Sequence, residues 1–530
     1  MKLPEEFIEM AKASIGVEAL AIYLEHFNNT LNRSAQDAEA GSNSKLSNIT
    51  SIRLNPAKTA YSSTHKSGQY CSGEEAEHMN PALQNLLKDA ERVPWCSTGY
   101  YLPERPQFTL DPLLHCGAYY VQEASSMYAQ KAFEAIEAND PEFFNNKIKV
   151  LDLCAAPGGK STHIASLLNN TSLLISNEVI KNRAVILADN MAKWGAENVV
   201  VTNNDPRDFK NLKGYFNLIV VDAPCSGEGM FIKDPASINE WSPANVDLCA
   251  SRQRRILQDI WNSLQEGGYL IYSTCTFNHF ENDGNLQYIV DELGAEVVEV
   301  NFNPTTDNRN TPDNNALTHK ANIIKTSAGG YQFVPGLVKG EGQYMAIVKK
   351  LSGRESEIKA GKDKKGNYRK DDGRKGGKNG NGQLKGFLYL PESAYELTLA
   401  GELVKAYPKE LANDIRYIES QLRIVSSGIA AATVKGKDYI PHADLALTTG
   451  YANMANKPQE HNCHELPFPV VELSKEQALA FLSKEPLVLD NEPNGYLLLT
   501  YLGYPLGFVK NLGNRSNNLW PQARRIRMGH

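Results

Sequence analysis

Eight cysteines lie in the chain, and two of them occupy the same kind of place. Cys225 sits in "VDAPCSGEGM", from Val221 to Met230, and Cys275 in "YSTCTF", from Tyr272 to Phe277. Each follows a run of aliphatic residues that reads as a strand, so each thiol stands at a strand end. A lone cysteine is ordinarily a small buried hydrophobe, which suits Cys116 and Cys249. It suits Cys275 badly, because Ser273, Thr274 and Thr276 make its surroundings polar. A thiol in a polar loop is a candidate nucleophile.

A second stretch, "VLDLCAAPGGKSTHIA", runs from Val150 to Ala165. It places a sharp turn between a buried strand and a helix. Ala155, Ala156, Gly158 and Gly159 let a ligand approach the backbone closely, and Pro157 stiffens the turn. The spacing is neither GxxxxGK[ST] nor GxGxxG, so no phosphate cradle is implied. An adenosyl ligand without a pyrophosphate fits the carboxyl edge of such a sheet. Three acids end successive strand-like runs. Glu178 is placed for ribose hydroxyls and Asp205 for an adenine edge, while Asp222 directly precedes "APC".

A thiol beside an adenosyl donor answers a specific chemical problem. Carbon 5 of cytosine is too unreactive to take a methyl group directly. A thiolate adding to carbon 6 makes carbon 5 an enamine-like nucleophile, which accepts the methyl of S-adenosylmethionine. Loss of the carbon-5 proton and expulsion of the thiol restore the ring. The base must first leave its stack.

The elements that would position these groups alternate. "KIKVLDLC", "SLLIS", "ENVVVT", "FNLIVVDA" and "GGYLIYST" read as strands. "KSTHIASLLNN", "KNRAVILADNMAKWG" and "VDLCASRQRRILQDIWNSLQ" read as the helices between them. The expected fold class is α/β, with a mostly parallel, helix-covered sheet. "QYMAIVKK" reads as a closing strand. The Asn/Thr-rich stretch 303–328 before it reads as a surface insertion.

The amino-terminal part, 1–110, reads as a small α+β unit. It has helix to about Phe27, a polar loop to Asn48, the strand "TSIRLNP" stopped by Pro56, a second polar tract and the helical "PALQNLLKDA". The catalytic domain is expected over 111–350 and a flexible basic linker over 351–385, which either tethers or also samples RNA phosphates. An accessory domain follows over 386–530, with "AYELTLAGELVKAY" as helix and "NGYLLLTYLGYPLGFVKNLG" as strand.

At 530 residues, two or three domains are expected. Hydrophobic content of 42% and charged content of 22% fit a soluble globular chain. No run of 18 apolar residues suggests a membrane span, and the acidic start "MKLPEEFIEM" does not resemble a secretion signal. A cytoplasmic location is expected. The scattered cysteines form no CxxC and no zinc-like cluster, so neither a disulfide scaffold nor a metal site is expected. A net charge of −6 argues against a general nucleic-acid coat but not against a local basic surface.

Together "LDLCAAPGGKSTHIA", "NE", "VVDAPCSGEGMF", "WSP" and "YSTCTFNHFEN" resemble the RNA cytosine-5 methyltransferases of the NOL1/NOP2/Sun type. The resemblance covers roughly 120–350 and reaches "SIRLNP" upstream. It implies a Rossmann-like class I methyltransferase domain. It implies that Cys275 attacks the base and that Cys225 assists release of the methylated RNA. It places S-adenosylmethionine against Cys154, Ala155, Ala156, Pro157, Gly158, Gly159, Lys160, Glu178, Asp205 and Asp222. Asp222 and Lys160 would also hold the target cytosine, with the lysine's charge countered by a nearby acid. Arg183 either braces the turn or touches the cofactor. Where relatives often read "CTLNREENE", this chain has "CTFNHFEND", keeping the acid and amide at Glu281 and Asn282 but placing Phe280 at a polar position.

The two ends narrow the substrate. "VPWCSTGYYLP", "GAYYVQEASSM" and "YPLGFVKNLGNRSNNLWPQARRI" resemble a bacterial subgroup that modifies one cytosine of 16S rRNA in the assembled small subunit. That subgroup carries a PUA-like carboxyl-terminal RNA-binding domain, in which Lys510, Arg515, Arg524, Arg525 and Arg527 would suit phosphate contacts. A tRNA substrate shares the same core chemistry and stays open. So does a noncatalytic ribosome-assembly factor, which the intact Cys225, Cys275 and Asp222 disfavour. A monomer is expected, because the core needs no partner to complete its pocket.

Overall fold

The five strand-like runs form strands β1 (Lys149–Asp152), β2 (Leu173–Asn177), β3 (Val199–Thr202), β4 (Phe216–Asp222) and β5 (Leu264–Thr274). In the computed structural model, which describes residues 2–39, 49–59, 80–302, 322–352, 384, 387–455 and 466–528, they lie in the order β3-β2-β1-β4-β5. All four contacts among them are parallel. Between them run helices α1 (Gly159–Leu167), α2 (Lys181–Trp194) and α3 (Pro243–Trp261).

The alternation along each strand explains the layers. Val150, Leu174, Val201, Leu218 and Val220 face one side, packed with Ile164, Leu187 and Met191. Leu151, Leu173, Ile175, Ile219 and Val221 face the other, with Ile256, Leu257 and Ile260 of α3. Both faces are buried, which is why the strands read as unbroken apolar runs.

The sheet is mixed rather than mostly parallel. Beyond β5 come β6 (Ala295–Val298), β7 (Ile324–Lys325), β8 (Tyr331–Phe333) and β9 (Gln343–Lys350), all joined by antiparallel pairing. At the opposite edge β10 (Ile424–Ser427) runs antiparallel to β3. This last strand comes from the carboxyl-terminal third, and the helix Ala412–Gln421 just before it covers the second face through Ile415 and Ile418. Nothing in the local pattern of "RIVSS" announces a partner more than 200 residues upstream.

Upstream, Glu91–Val93, Cys96–Leu102, Thr50–Leu54 and Tyr119–Val121 make an antiparallel four-stranded sheet. Helices Glu5–Ile15 and Val17–Glu39 pack Phe7, Tyr23 and Phe27 against Phe231, Trp241 and Phe277. The second helix corrects the loop expected from Asn28 onward, since "LNRSAQDAE" is rich in good helix formers. The rest of that tract lies outside the described residues, as do the polar tract 60–79, most of the insertion and nearly all of the linker.

Downstream, two further four-stranded sheets are built from 395–441 and 470–518. "AYELTLAGELVKAY", expected as helix, is instead a hairpin of Tyr395–Ala400 and Leu403–Pro408. Gly401 turns it at φ 64°, and Val404 and Ala406, two residues apart on the second strand, are buried. "NGYLLLTYLGYPLGFVKNLG" forms the paired strands Gly495–Tyr501 and Tyr504–Asn511, as expected.

Candidate active site

The strand order reverses between β1 and β4, and a crevice opens at the carboxyl ends of such strands. The glycine-rich turn follows β1 and Asp222 ends β4, so both flank that reversal. Gly158 stands at φ 116°, a conformation glycine tolerates and other residues resist. A side chain there would press on Leu187 and Asn190. Ala155 and Ala156 are buried, Pro157 is exposed, and Cys154 is half-buried with its thiol pushed up by burial.

Asp152, at the end of β1, is fully buried. Ser161 donates to its Oδ2 at 2.6 Å, but its Oδ1 has no partner among the described residues. Burial raises its carboxyl pKa to about 7. An orphaned acceptor beneath a turn too tight for larger side chains fits a small ligand with hydrogen-bond donors lying over the turn.

Glu178 follows β2 and is almost wholly buried. Its Oε1 accepts from the Ile180 amide at 2.9 Å, and its Oε2 stands 3.4 Å from Arg183 Nη1. Arg183 also donates to the carbonyl of Ala156 at 2.8 Å, bracing the glycine-rich turn against the second strand's loop. Val179, beside the acid, is 56% exposed. Asp205 lies on the same edge, yet its carboxylate already accepts from the backbone and Nε of Arg207, the latter at 2.9 Å. Those hydrogen bonds hold its pKa below the ordinary value.

The Lys160 ammonium meets Asp222 Oδ2 at 2.9 Å, so Asp222 is the expected counter-acid. Burial works against the ammonium, but the adjacent carboxylate outweighs it and keeps the lysine charged. Ser273 donates to Asp222 Oδ1 at 2.7 Å, which fixes the carboxylate from the β5 side.

The parallel pairing of β4 and β5 brings the two cysteine loops together. The Sγ atoms of Cys225 and Cys275 lie 2.9 Å apart, and the Cys275 amide donates to Cys225 Sγ at 3.3 Å. The hydrogen bond to Cys275 and burial push the Cys225 thiol well above its usual pKa. Cys116 and Cys249 are buried within the protein, as their sequence surroundings suggest.

Buried polar groups surround this pair; the sequence marked Glu281 and Asn282 as the acid and amide of the family pattern, but it did not mark Glu228 or the burial of all three. Glu228, in the "CSGEGM" loop, accepts from the amides of Phe277 at 2.7 Å and Asn278 at 3.0 Å, both in the Cys275 loop. Glu281, at the far end of the Cys275 loop, accepts from the amide of Ser226, beside Cys225, at 3.1 Å. Gly229 donates to the carbonyl of Cys275 at 2.8 Å, and a side chain there would strike Gly342. In sequence, Glu228 looks like an ordinary solvated loop residue. His279 and Phe280 are exposed.

Arg53 of "SIRLNP" was also missed. It is fully buried, donates to Gln122 at 2.8 Å and Thr162 at 2.6 Å, reaches the carbonyl of Gly159 at 3.3 Å and lies over Trp194. Of the basic tail, Arg515, Arg525 and Arg527 are exposed. Arg524 is not free for phosphate, because it is buried between Asp189 and Asp444, with Nη1 2.7 Å from the latter.

A glycine-rich turn that lacks the phosphate-cradle spacing opens beside paired thiols, an arrangement that fits a methyltransferase, and the molecule falls in that class. Comparison with known proteins narrows the class. Residues 142–349 match the family described as 16S rRNA methyltransferase RsmB/F. Residues 20–124 match the N-terminal domain of 16S rRNA methyltransferase RsmF, and residues 468–526 match the methyltransferase RsmF PUA domain.

Ribosomal RNA small subunit methyltransferase F of Aliivibrio fischeri (strain MJ11) is 31% identical over 446 residues, covering 82% of this chain and 85% of that protein. Its namesake in Aliivibrio salmonicida (strain LFI1238) is 29% identical over 453 residues, covering 81% and 84%. A solved methyltransferase homolog from Pyrococcus horikoshii is 22% identical, with a TM-score of 0.47, and covers 66% of this chain and 95% of that one. The chain belongs to the RsmB/F family of methyltransferases. It is an enzyme that methylates RNA at carbon 5 of cytosine with S-adenosylmethionine, and its carboxyl-terminal sheet is PUA-like.

Proposed function

We propose that the protein methylates carbon 5 of one cytosine in 16S rRNA of the small ribosomal subunit, through a covalent bond between Cys275 and carbon 6. The observation that carries this reading is the placement of the two thiols 2.9 Å apart at the sheet edge that holds the Lys160–Asp222 pair. The small-subunit substrate is supported by the names of the relatives and by the match to the RsmF PUA domain.

S-adenosylmethionine, when bound, supplies an electrophilic methyl group on a sulfonium centre. Cys154 to Lys160 would hold it from the turn, and Glu178 and Asp205 from the next two strand ends. Exposed Val179 offers an apolar face for a base. Asp222 would accept a hydrogen bond from the cytosine, with Lys160 holding that carboxylate in place at 2.9 Å. The Cys275 thiolate adds to carbon 6, and the electron pair of the 5,6 double bond moves to carbon 5. After carbon 5 is methylated its proton leaves to a base. The returning electron pair reforms the double bond and breaks the sulfur–carbon bond. Cys225, kept as a neutral thiol, assists that release. One chain supplies every group named, consistent with a monomer working in a cytosol that keeps thiols reduced.

Incubation with naked tRNA, naked 16S rRNA and small subunits, using methyl-labelled cofactor and base mapping, tests this. The expected product is one labelled 5-methylcytosine in 16S rRNA. Label confined to tRNA would overturn the substrate, and no transfer to any RNA would overturn the enzymatic reading of the site. Cys225→Ala is expected to accumulate a covalent RNA adduct and Cys275→Ala to form none. An undiminished adduct in the latter would assign the nucleophile wrongly.

A further inference from the structure

Two buried carboxylates bind the cysteine loops to each other in opposite directions. Glu228 leaves the Cys225 loop and takes amide hydrogens from the Cys275 loop; Glu281 leaves the Cys275 loop and takes one from the Cys225 loop. Asn278 stands between them, donating to Glu228 at 3.0 Å and to Glu281 at 2.8 Å. Gln253 closes on Glu281 at 2.6 Å, and the Trp241 indole on Glu228 at 2.9 Å. Among the described residues neither carboxylate has a lysine or arginine partner, and both are at most 1% exposed.

A buried carboxyl group is costly unless hydrogen-bonded, so two without a cation need a reason; burial pushes the Glu281 pKa up, and its hydrogen bonds from Ser226, Asn278 and Gln253 oppose that rise. Acceptors tied to backbone amides by charge-assisted bonds fix a loop more stiffly than neutral contacts do. Two loops that each hold one thiol must keep those thiols in register while a base is attached and released. We propose that Glu228 and Glu281 are positioning residues that lock the two loops into one unit. Glu228 holds the loop of the attacking thiol, and Glu281 holds the loop of the releasing thiol. The proposal rests on the roles given above to Cys275 and Cys225. The charge of Glu281 also favours the neutral form of the Cys225 thiol, which suits release rather than attack.

The two carboxylates therefore have separable expected phenotypes. Glu281→Gln keeps the volume but turns an amide group toward the donors of Gln253 or Asn278. Full-length Glu281→Gln with small subunits is expected to accumulate the covalent adduct on a denaturing gel at least fivefold above wild type, with turnover reduced at least tenfold. Glu228→Gln is expected to lose adduct and turnover together, at least tenfold each.

Cys225→Ala is run beside them. If Cys225→Ala accumulates adduct and Glu281→Gln does not, the clamp is overturned and the roles of the cysteines stand. If Cys225→Ala itself accumulates none, those roles fall and the clamp with them. Turnover within twofold of wild type in both glutamine variants overturns the clamp as well. Should either variant fail to fold, Gln253→Met and Trp241→Phe remove one donor from Glu281 and Glu228 respectively. They must shift the adduct in the same two directions, and an unchanged adduct in both overturns the proposal.

Discussion

Lys58 shows how much a single side chain can depend on protonation. It is buried, and its amine donates to the carbonyls of Cys116 at 2.7 Å and Lys193 at 2.8 Å. A neutral amine has two hydrogens, which matches two acceptors, and burial lowers its pKa from 10.5 to about 7. The unfolded chain keeps this proton up to about pH 10.5, whereas the folded chain releases it above about pH 7. Between those values the unfolded state binds more protons, so this group makes stability rise with pH, by up to about 1.4 kcal/mol per unit. Denaturant midpoints from pH 7 to 9 should rise more steeply in wild type than in Lys58→Met; equal slopes would show that the amine stays charged. At the active site, Asp222→Asn removes the counter-charge of Lys160 and leaves one acceptor oxygen where the carboxylate offers two, one to Lys160 and one to Ser273. Turnover should fall roughly 100-fold or more while the melting temperature changes little, the pattern of a group that acts in the transition state.

At the scale of elements, "SIRLNPAK" is a rivet rather than a strand with a loose end. Arg53 reaches the first turn of α1, Asn55 donates to the carbonyls of Gly117 and Trp194, and Lys58 takes that of Lys193 at the end of α2. Among the described residues Arg53 has no acid beside it, and burial lowers its pKa to about 10. Arg53→Met should cost about 2–4 kcal/mol of stability, because it strands buried acceptors. It should also weaken S-adenosylmethionine binding, measured by calorimetry, more than RNA binding. Equal loss of both would mean that the segment does not govern the turn. The parallel core and the edge with its acids and thiols were legible, because unbroken apolar runs and the turn between β1 and α1 are local signals. The flanks were not. The hairpin at 395–408 has apolar positions compatible with either period, and only Gly401 marks the turn. Glu228 and Glu281 were visible as letters, but their burial comes from loops folding over them.

At the scale of the whole molecule, the carboxyl-terminal third is fastened to the catalytic sheet. Tyr395 donates to Glu197 at 2.6 Å, Thr449 donates to the carbonyl of Gly195 at 3.0 Å, and Arg423 brackets the loop after β3. Arg524 bridges Asp189 of α2 and Asp444, with Asp189 held below the usual carboxylate range although burial opposes this. Arg524→Ala should destabilise by about 3 kcal/mol, less than for a fully enclosed pair because both acids are partly wet. It should weaken binding to small subunits through loss of a fixed angle rather than of a phosphate contact. An unchanged melting curve would show that the bridge is dispensable. Arg524 is thus taken up by an internal bridge, whereas Arg515, Arg525 and Arg527 are exposed.

The pairing of β10 with β3 sets a condition on how the molecule is made. Until Ser427 has been synthesised, the amide and carbonyl groups along the outer side of Val199–Thr202 have no strand to meet. Bare strand edges template pairing with other chains. At about 5–20 residues per second, roughly 220 residues of elongation leave that edge open for about 10–45 seconds. A nascent chain stalled near residue 350 would carry its thiols and its turn and still be a seed for clumping.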